Sequence, residues 1–136
     1  MEAVARLRKN GGSARKTRLV ADLIRGLSVE KALAMLKFTR KRSALPMEKL
    51  LMSAVSNWRD KNPNKSLEGA GLYVKAVRVD AGTMLKRFRP APYGRAHRIR
   101  KRSNHITIVV DSKYYKDDVQ PANTVAADTE EQTENS

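Results

Sequence analysis

LYVKAVRVDAGTMLKRFRPAPYGRAHRIRKRSNHITIVVD, residues 72–111, decides the fold. Its two ends alternate with period two. Leu72 to Asp80 predicts a strand with Tyr73, Val77 and Val79 on one face, and His105 to Asp111 predicts its partner with Ile106, Ile108 and Val110 inward. Between them lies a stretch that cannot bury a core. Residues 84–104 hold Lys86, Arg87, Arg89, Arg95, Arg98, Arg100, Lys101 and Arg102, with His97 besides, and no acid. Their centre is Pro90-Ala91-Pro92-Tyr93-Gly94. Strand patterns at both roots and turn residues in the middle predict one long β-hairpin over about residues 80–105. Arms of about twelve residues at about 3.3 Å each give a finger of roughly 40 Å. So many charges are expensive to desolvate. The finger is expected to be ordered by a polyanion, and to be mobile without one.

Upstream the pattern turns helical. Residues 2–9, EAVARLRK, alternate loosely and fit a short edge strand, which Asn10-Gly11-Gly12 breaks. Ser13 is placed to cap a helix running to about Arg25, with Leu19, Val20, Leu23 and Ile24 on one face and Gly26 at its end. Ser28 is placed to cap a second, with Val29, Ala32, Leu33 and Leu36 at core spacing. Met47, Leu50, Leu51, Ala54, Val55 and Trp58 recur at i, i+3, i+4, i+7, i+8 and i+11, a third helix. Pro46 is tolerated only in its first turn, so it begins near Ser43 to Leu45, and Asn62-Pro63-Asn64 ends it. Its stripe reads as core against a sheet in preference to a dimer seam, and Trp58 as core in preference to a base-stacking platform. The predicted class is α+β: three helices on a small antiparallel sheet, with a long, protruding basic β-hairpin.

Charge is unevenly spread along the 136 residues, whose formal net charge is +14. All 28 Lys and Arg fall in residues 1–116 with eight of the 14 acids, and the other six acids fall in 117–136 without a base. The expected organisation is one RNA-binding domain over 1–116, hairpin included, and an acidic disordered tail over 117–136. A basic body of this kind is the electrostatic footprint of a nucleic-acid binder. Arginine dominates the finger, and its planar fork can span two phosphate oxygens or stack on an exposed base.

Catalysis finds little support. The chain has no cysteine and two histidines, His97 and His105, neither with partners at metal-ligand spacing. Gly11-Gly12, Gly69 and Gly71 lack the spacing of a phosphate loop. No enzyme activity, cofactor or metal is expected. No apolar run reaches membrane-spanning length and the N-terminus lacks a secretory pattern, so a cytoplasmic protein without membrane contact is expected.

The motifs also resemble a known family, the bacterial large-ribosomal-subunit protein L-twenty-two family. Three segments carry the resemblance, in the family's order and spacing: Ser13 to Gly26 (SARKTRLVADLIRG), Val29 to Phe38 (VEKALAMLKF), and Asp80 to Thr107, with Lys86-Arg87, Pro90, Gly94-Arg95-Ala96, Arg98-Ile99 and Lys101-Arg102. The resemblance implies a structural constituent of the large subunit that binds its rRNA, supports assembly, and sends its hairpin inward to line the nascent-peptide exit tunnel. Arg15, Lys16, Arg18 and Arg25 would then anchor rRNA from the first helix, together with the basic residues of the hairpin arms. Leu85, Lys86, Arg87, Phe88, Arg89, Pro90, Ala91, Pro92, Tyr93, Gly94 and Arg95 would form the tunnel-facing tip. Implied partners are large-subunit rRNA, neighbouring ribosomal proteins and the nascent peptide, with one copy per ribosome. Ala91-Pro92-Tyr93 departs from the family's usual basic–small–basic pattern, and Tyr93 is expected to stack on a base or narrow the tunnel wall. The rival reading is an architectural DNA-binding protein, since proline-tipped basic β-arms also enter minor grooves. An RNA-modifying enzyme would need a catalytic constellation that the residues do not supply.

Overall fold

The computed structural model describes residues 2–114; the acidic segment 117–136 lies outside them. Strand β1 (Ala3–Gly11) leads into helices α1 (Ala14–Ile24), α2 (Val29–Phe38) and α3 (Ala44–Lys61), and then the single turn α4 (Leu67–Ala70). Strands β2 (Leu72–Ala81), β3 (Leu85–Pro90), β4 (Ala96–Lys101) and β5 (Ser103–Ser112) follow. β1, β5 and β2 form one antiparallel sheet in that order, with β5 central, and β3 and β4 pair as a separate two-stranded sheet. The α+β class stands, with α4 as the helix that the sequence pattern did not reveal.

Helices cover one face of the three-stranded sheet. Ala3 and Ala5 of β1, Ile106, Ile108 and Val110 of β5, and Leu72, Val74, Val77 and Val79 of β2 are buried beneath Val20, Ile24, Met47, Leu51 and Trp58. Small residues on β1 let α3 lie close over it. Trp58 is fully buried, as core, and its Nε1 has no hydrogen-bond partner among the described residues.

Three details depart from the sequence pattern. On β2 the buried set begins at Leu72 and Val74, because an irregularity between Val74 and Ala76 shifts the register and reverses the phase; Tyr73 is therefore not on the face of Val77 and Val79. On α1 the core face is Ala14, Thr17, Val20, Ala21 and Ile24, while Leu19 and Leu23 are exposed. Ser13 and Ser28 occupy the cap positions of α1 and α2 without a side-chain cap bond.

One buried polar cluster joins the hairpin root to the body. Asn104, fully buried on β5, donates from Nδ2 to Gly12 O (3.0 Å) and to Thr17 Oγ1 (3.1 Å), and its Oδ1 accepts from Asn10 Nδ2 at 3.1 Å. Thr17 in turn donates to Ser13 O and shares a hydrogen bond with Ser43 Oγ. β1, α1, the start of α3 and β5 thus meet at one side chain.

Truncating that amide removes three hydrogen bonds, to Asn10, Gly12 and the buried Thr17 hydroxyl, a loss of about 2–3 kcal/mol. Asn104→Ala is therefore expected to lower the melting temperature of the free protein by about 10 °C or more. Thermal unfolding followed by circular dichroism checks this; an unchanged midpoint would mean that the cluster contributes nothing net.

Candidate nucleic-acid interface

β3 and β4 pair in register from Leu85 opposite Lys101 to Pro90 opposite Ala96. Six positions per arm at about 3.3 Å make a ladder of about 20 Å, half the length expected from the sequence. The remainder of each arm belongs elsewhere. Ala81 and Asn104 end the body sheet, and Gly82 to Met84 and Arg102 form the joints. At the joint, Gly82 N–H donates to Ser103 O (2.8 Å) and Gly12 N–H to Arg102 O (3.0 Å). A Cβ on Gly82 would meet Ser103 Oγ at 2.6 Å and the His105 ring at 3.2 Å, so a larger residue there has to displace those two side chains.

Every residue of β3 and β4 is exposed. The register places like charges face to face at Lys86 opposite Arg100, and sets Arg89 opposite His97. Three apolar residues each face a cation, Leu85 opposite Lys101, Ile99 opposite Arg87 and Phe88 opposite Arg98, while Pro90 faces Ala96. Directly opposed like charges weaken a ladder, and a lone two-stranded ribbon is marginal in water even without them. The hairpin's own sequence contains no acid to answer these charges.

The tip is a tight turn. Pro92 to Arg95 form a tight left-handed turn: Ala91 N–H donates to Arg95 O at 2.8 Å, and Tyr93 and Gly94 both have left-handed backbones, at φ 62° and 65°. Two such residues in succession match the twist of a hairpin, but a tyrosine pays about 1–2 kcal/mol to sit there. Its ring is 97% exposed.

The four basic residues of the first helix divide into two pairs. Arg15 and Lys16 are exposed in the first turn. Arg18 donates from Nε and Nη2 to Val79 O (3.1 and 3.0 Å), and Arg25 donates from Nη2 to Val77 O (3.0 Å) and from Nη1 to Asp22 (2.7 Å). Both carbonyls lie on the outer edge of β2, where Val74 exchanges backbone bonds with Gly26 and Leu27. Arg18 and Arg25 thus complete an edge, while keeping one outward side in solvent. At the far end of the sheet, Lys75 pairs with Glu2 and with Asp111, and its hydrogen bond to Glu2 holds the ammonium above its ordinary range. The sequence pattern did not reveal Asn104, Asn10 and Thr17 as a group, because their partners lie 87 and 94 residues away.

Comparison with known proteins reaches nearly all of this architecture. A family model described as Ribosomal protein L22p/L17e matches residues 5–111. The "Large ribosomal subunit protein uL22" of Flavobacterium johnsoniae is 60% identical over 108 residues, 79% of each chain. That of Porphyromonas gingivalis is 56% identical over 108 residues, 79% of this chain and 80% of its own. That of Bacteroides fragilis is 54% identical over 114 residues, 84% of this chain and 83% of its own.

Arg18→Lys keeps the charge but loses the fork that holds Val79 O, so it is expected to cost the free protein about 1 kcal/mol, or about 5 °C in melting temperature. Arg15→Ala, with no such bond, is expected to leave the midpoint in place. Equal shifts for the two variants would refute the division of labour on this helix.

Proposed function

The chain belongs to the ribosomal protein L22p/L17e family, and on that premise we propose that it binds large-subunit rRNA through its hairpin and first helix. It is a structural constituent of the large ribosomal subunit, and not an enzyme. Its place is with that subunit in the bacterial cytoplasm.

The observation that carries rRNA binding is the register of the hairpin. Lys86 faces Arg100 and Arg89 faces His97 on strands that are exposed throughout, with no acid between Gly82 and Asn104. RNA phosphates supply the missing charge, and ordering the hairpin on folded rRNA converts repulsion between arms into shared attraction to the backbone. Lys101 and Arg102 continue the basic track from the ladder to the root, and Arg15 and Lys16 offer a second, exposed pair on α1. Arg18 and Arg25 join them with whatever side of the guanidinium the β2 edge leaves open. A polymer held at hairpin and helix together is fixed in orientation as well as position, which is how such a protein supports subunit assembly.

Lining of the exit tunnel, with the nascent peptide as a contact, follows from the family resemblance of Asp80 to Thr107 and from the turn at the tip. The segment from Leu85 to Arg95 ends in a compact turn that presents Tyr93 to its surroundings. A bulky side chain kept in a left-handed backbone conformation is commonly a functional compromise. The ring offers a flat surface to an rRNA base or to a passing peptide. One copy per ribosome, beside neighbouring ribosomal proteins, is the arrangement that this role requires.

Sucrose-gradient sedimentation of lysate in high salt is expected to carry the chain with the large subunit. Migration at the top of the gradient, or with chromosomal DNA, would favour the architectural DNA-binding alternative instead. In vitro, Arg98→Ala, Arg100→Ala and Arg102→Ala combined are expected to weaken rRNA binding and flatten the dependence of log K on log salt by about 2–3, since each lost phosphate contact removes about 0.7–0.9 from the slope. The melting temperature of the free body should barely move; a large fall would assign these arginines to the fold.

A further inference from the structure

One face of the three-stranded sheet carries no helix. Along β5 its residues are His105, Thr107, Val109 and Asp111, alternating with the buried isoleucines and Val110. The register sets Arg6 of β1 and Arg78 of β2 on either side of Thr107. With strands about 4.8 Å apart, the two arginine backbones stand about 10 Å from one another, across the central strand. Arg8 lies at the next position toward the hairpin, where the ladder between β1 and β5 is irregular from Leu7 to Asn10, so that Arg8 and Lys9 share the space opposite His105. Lys9 there has a left-handed backbone, φ 55°, and its N–H donates to His105 Nδ1 at 3.0 Å.

The two ends of this face differ in how their charge is answered. Toward the start of β1, Lys75 is paired with Glu2 and Asp111. Toward the hairpin root, Arg6, Arg8 and Arg78 are exposed and make no side-chain hydrogen bond or ion pair among the described residues. Asp80, opposite His105, is the acid nearest to them in the register, and no ion pair joins it to any of the three. Three unanswered guanidinium groups around a hydroxyl form a cradle for more than one anion. The same strands, β2 and β5, run on directly into the hairpin.

We propose that the hairpin-root end of this open sheet face is a second rRNA-backbone site, in which Arg6, Arg8 and Arg78 hold phosphates around Thr107. The proposal rests on the reading of the protein as an rRNA binder and extends it to a surface that neither the first helix nor the hairpin contains. Arginine forks grip the phosphate oxygens, and the Thr107 hydroxyl donates to a phosphate or meets a ribose hydroxyl. Arg8 lines one cleft of this face together with Arg6, Arg78, Asp80, His105 and Thr107. Backbone continuity from this face to Gly82 and Ser103 lets one RNA segment pass from the sheet to the root of the hairpin.

The test is binding of in-vitro-transcribed large-subunit rRNA by the full chain across a salt series, comparing wild type with R6Q/R8Q/R78Q. The expected result is a slope of log K against log salt that is shallower by about 2–3, with affinity at least tenfold lower, and circular dichroism unchanged. If wild type binds and the triple variant binds with the same slope, the face holds no RNA and the proposal is overturned, while the hairpin reading survives. If wild type does not bind this rRNA at all, both readings fall together. A second measurement does not depend on the triple variant folding. The chain has no cysteine, so Thr107→Cys provides a unique thiol for an iron chelate in reconstituted large subunits. Discrete cleavage of the rRNA backbone from that position supports the site. Absence of cleavage there, with cleavage from a chelate on Ala96→Cys in the hairpin, overturns it and leaves the face to an acidic protein neighbour.

Discussion

The side-chain amide of Asn104 holds the junction on which the remaining geometry depends. At this residue β5 passes from a strand with one buried face to an arm with none. A chain leaving a core in this way usually frays. Here the amide donates to Gly12 and Thr17 and accepts from Asn10, so the last buried position of β5 is tied to the end of β1 and the first turn of α1. A buried polar group so satisfied is specific in a way that an apolar one is not, since only one arrangement of the three segments meets its bonds. Gly82 and Ser103, one step outward, inherit that arrangement and pass it to the hairpin.

Both free edges of the sheet are closed from the helix layer, and cations or amides do most of the work. Along β2, Gly26 and Leu27 meet Val74, then Arg25 reaches Val77 O and Arg18 reaches Val79 O. Along β1, Asn57 donates to Val4 O and Lys61 to Glu2 O. An open strand edge invites pairing with another chain, and side-chain donors on these outward carbonyls obstruct it. Basic residues therefore have two employments in this molecule. Some complete the backbone hydrogen bonding of the sheet, and others, such as Arg6, Arg8 and Arg78, are exposed without a side-chain partner among the described residues.

That double use marks the limit of what the sequence makes legible. Period-two segments and the α3 stripe are local signals, and they located β2, β5 and α3, with Pro46 and Asn62 at the ends of the helix. Arg15 and Arg25 look alike in sequence, however, and only the β2 edge separates them. Tyr73 was assigned to the wrong face because a single irregularity after Val74 reverses the alternation, and nothing local announces it. Leu19 and Leu23 fit a helical stripe as well as Thr17 and Ala21 do; Thr17 is inside because Asn104 needs its hydroxyl, a fact that lies 87 residues away. The basic centre and its turn were plain, but the ladder is half as long as strand geometry alone allowed, since Gly82 to Met84 and Arg102 are consumed as joints.

Charge placement also separates a body that is stable by itself from a hairpin that is not. Two opposed unit charges about 5 Å apart in water repel by about 1 kcal/mol, less at physiological salt. One such pair in a six-position ladder, Lys86 opposite Arg100, together with the strain at Tyr93, offsets much of what a solvent-exposed ribbon gains by pairing. The body, by contrast, keeps its core, its satisfied amide and its closed edges whether or not RNA is present. Under the proposed rRNA binding, the rigid body would dock first through surfaces that are already formed, and the hairpin would then take its path along phosphates within reach. Stability is concentrated in the body, which needs no partner, and is low in the exposed hairpin.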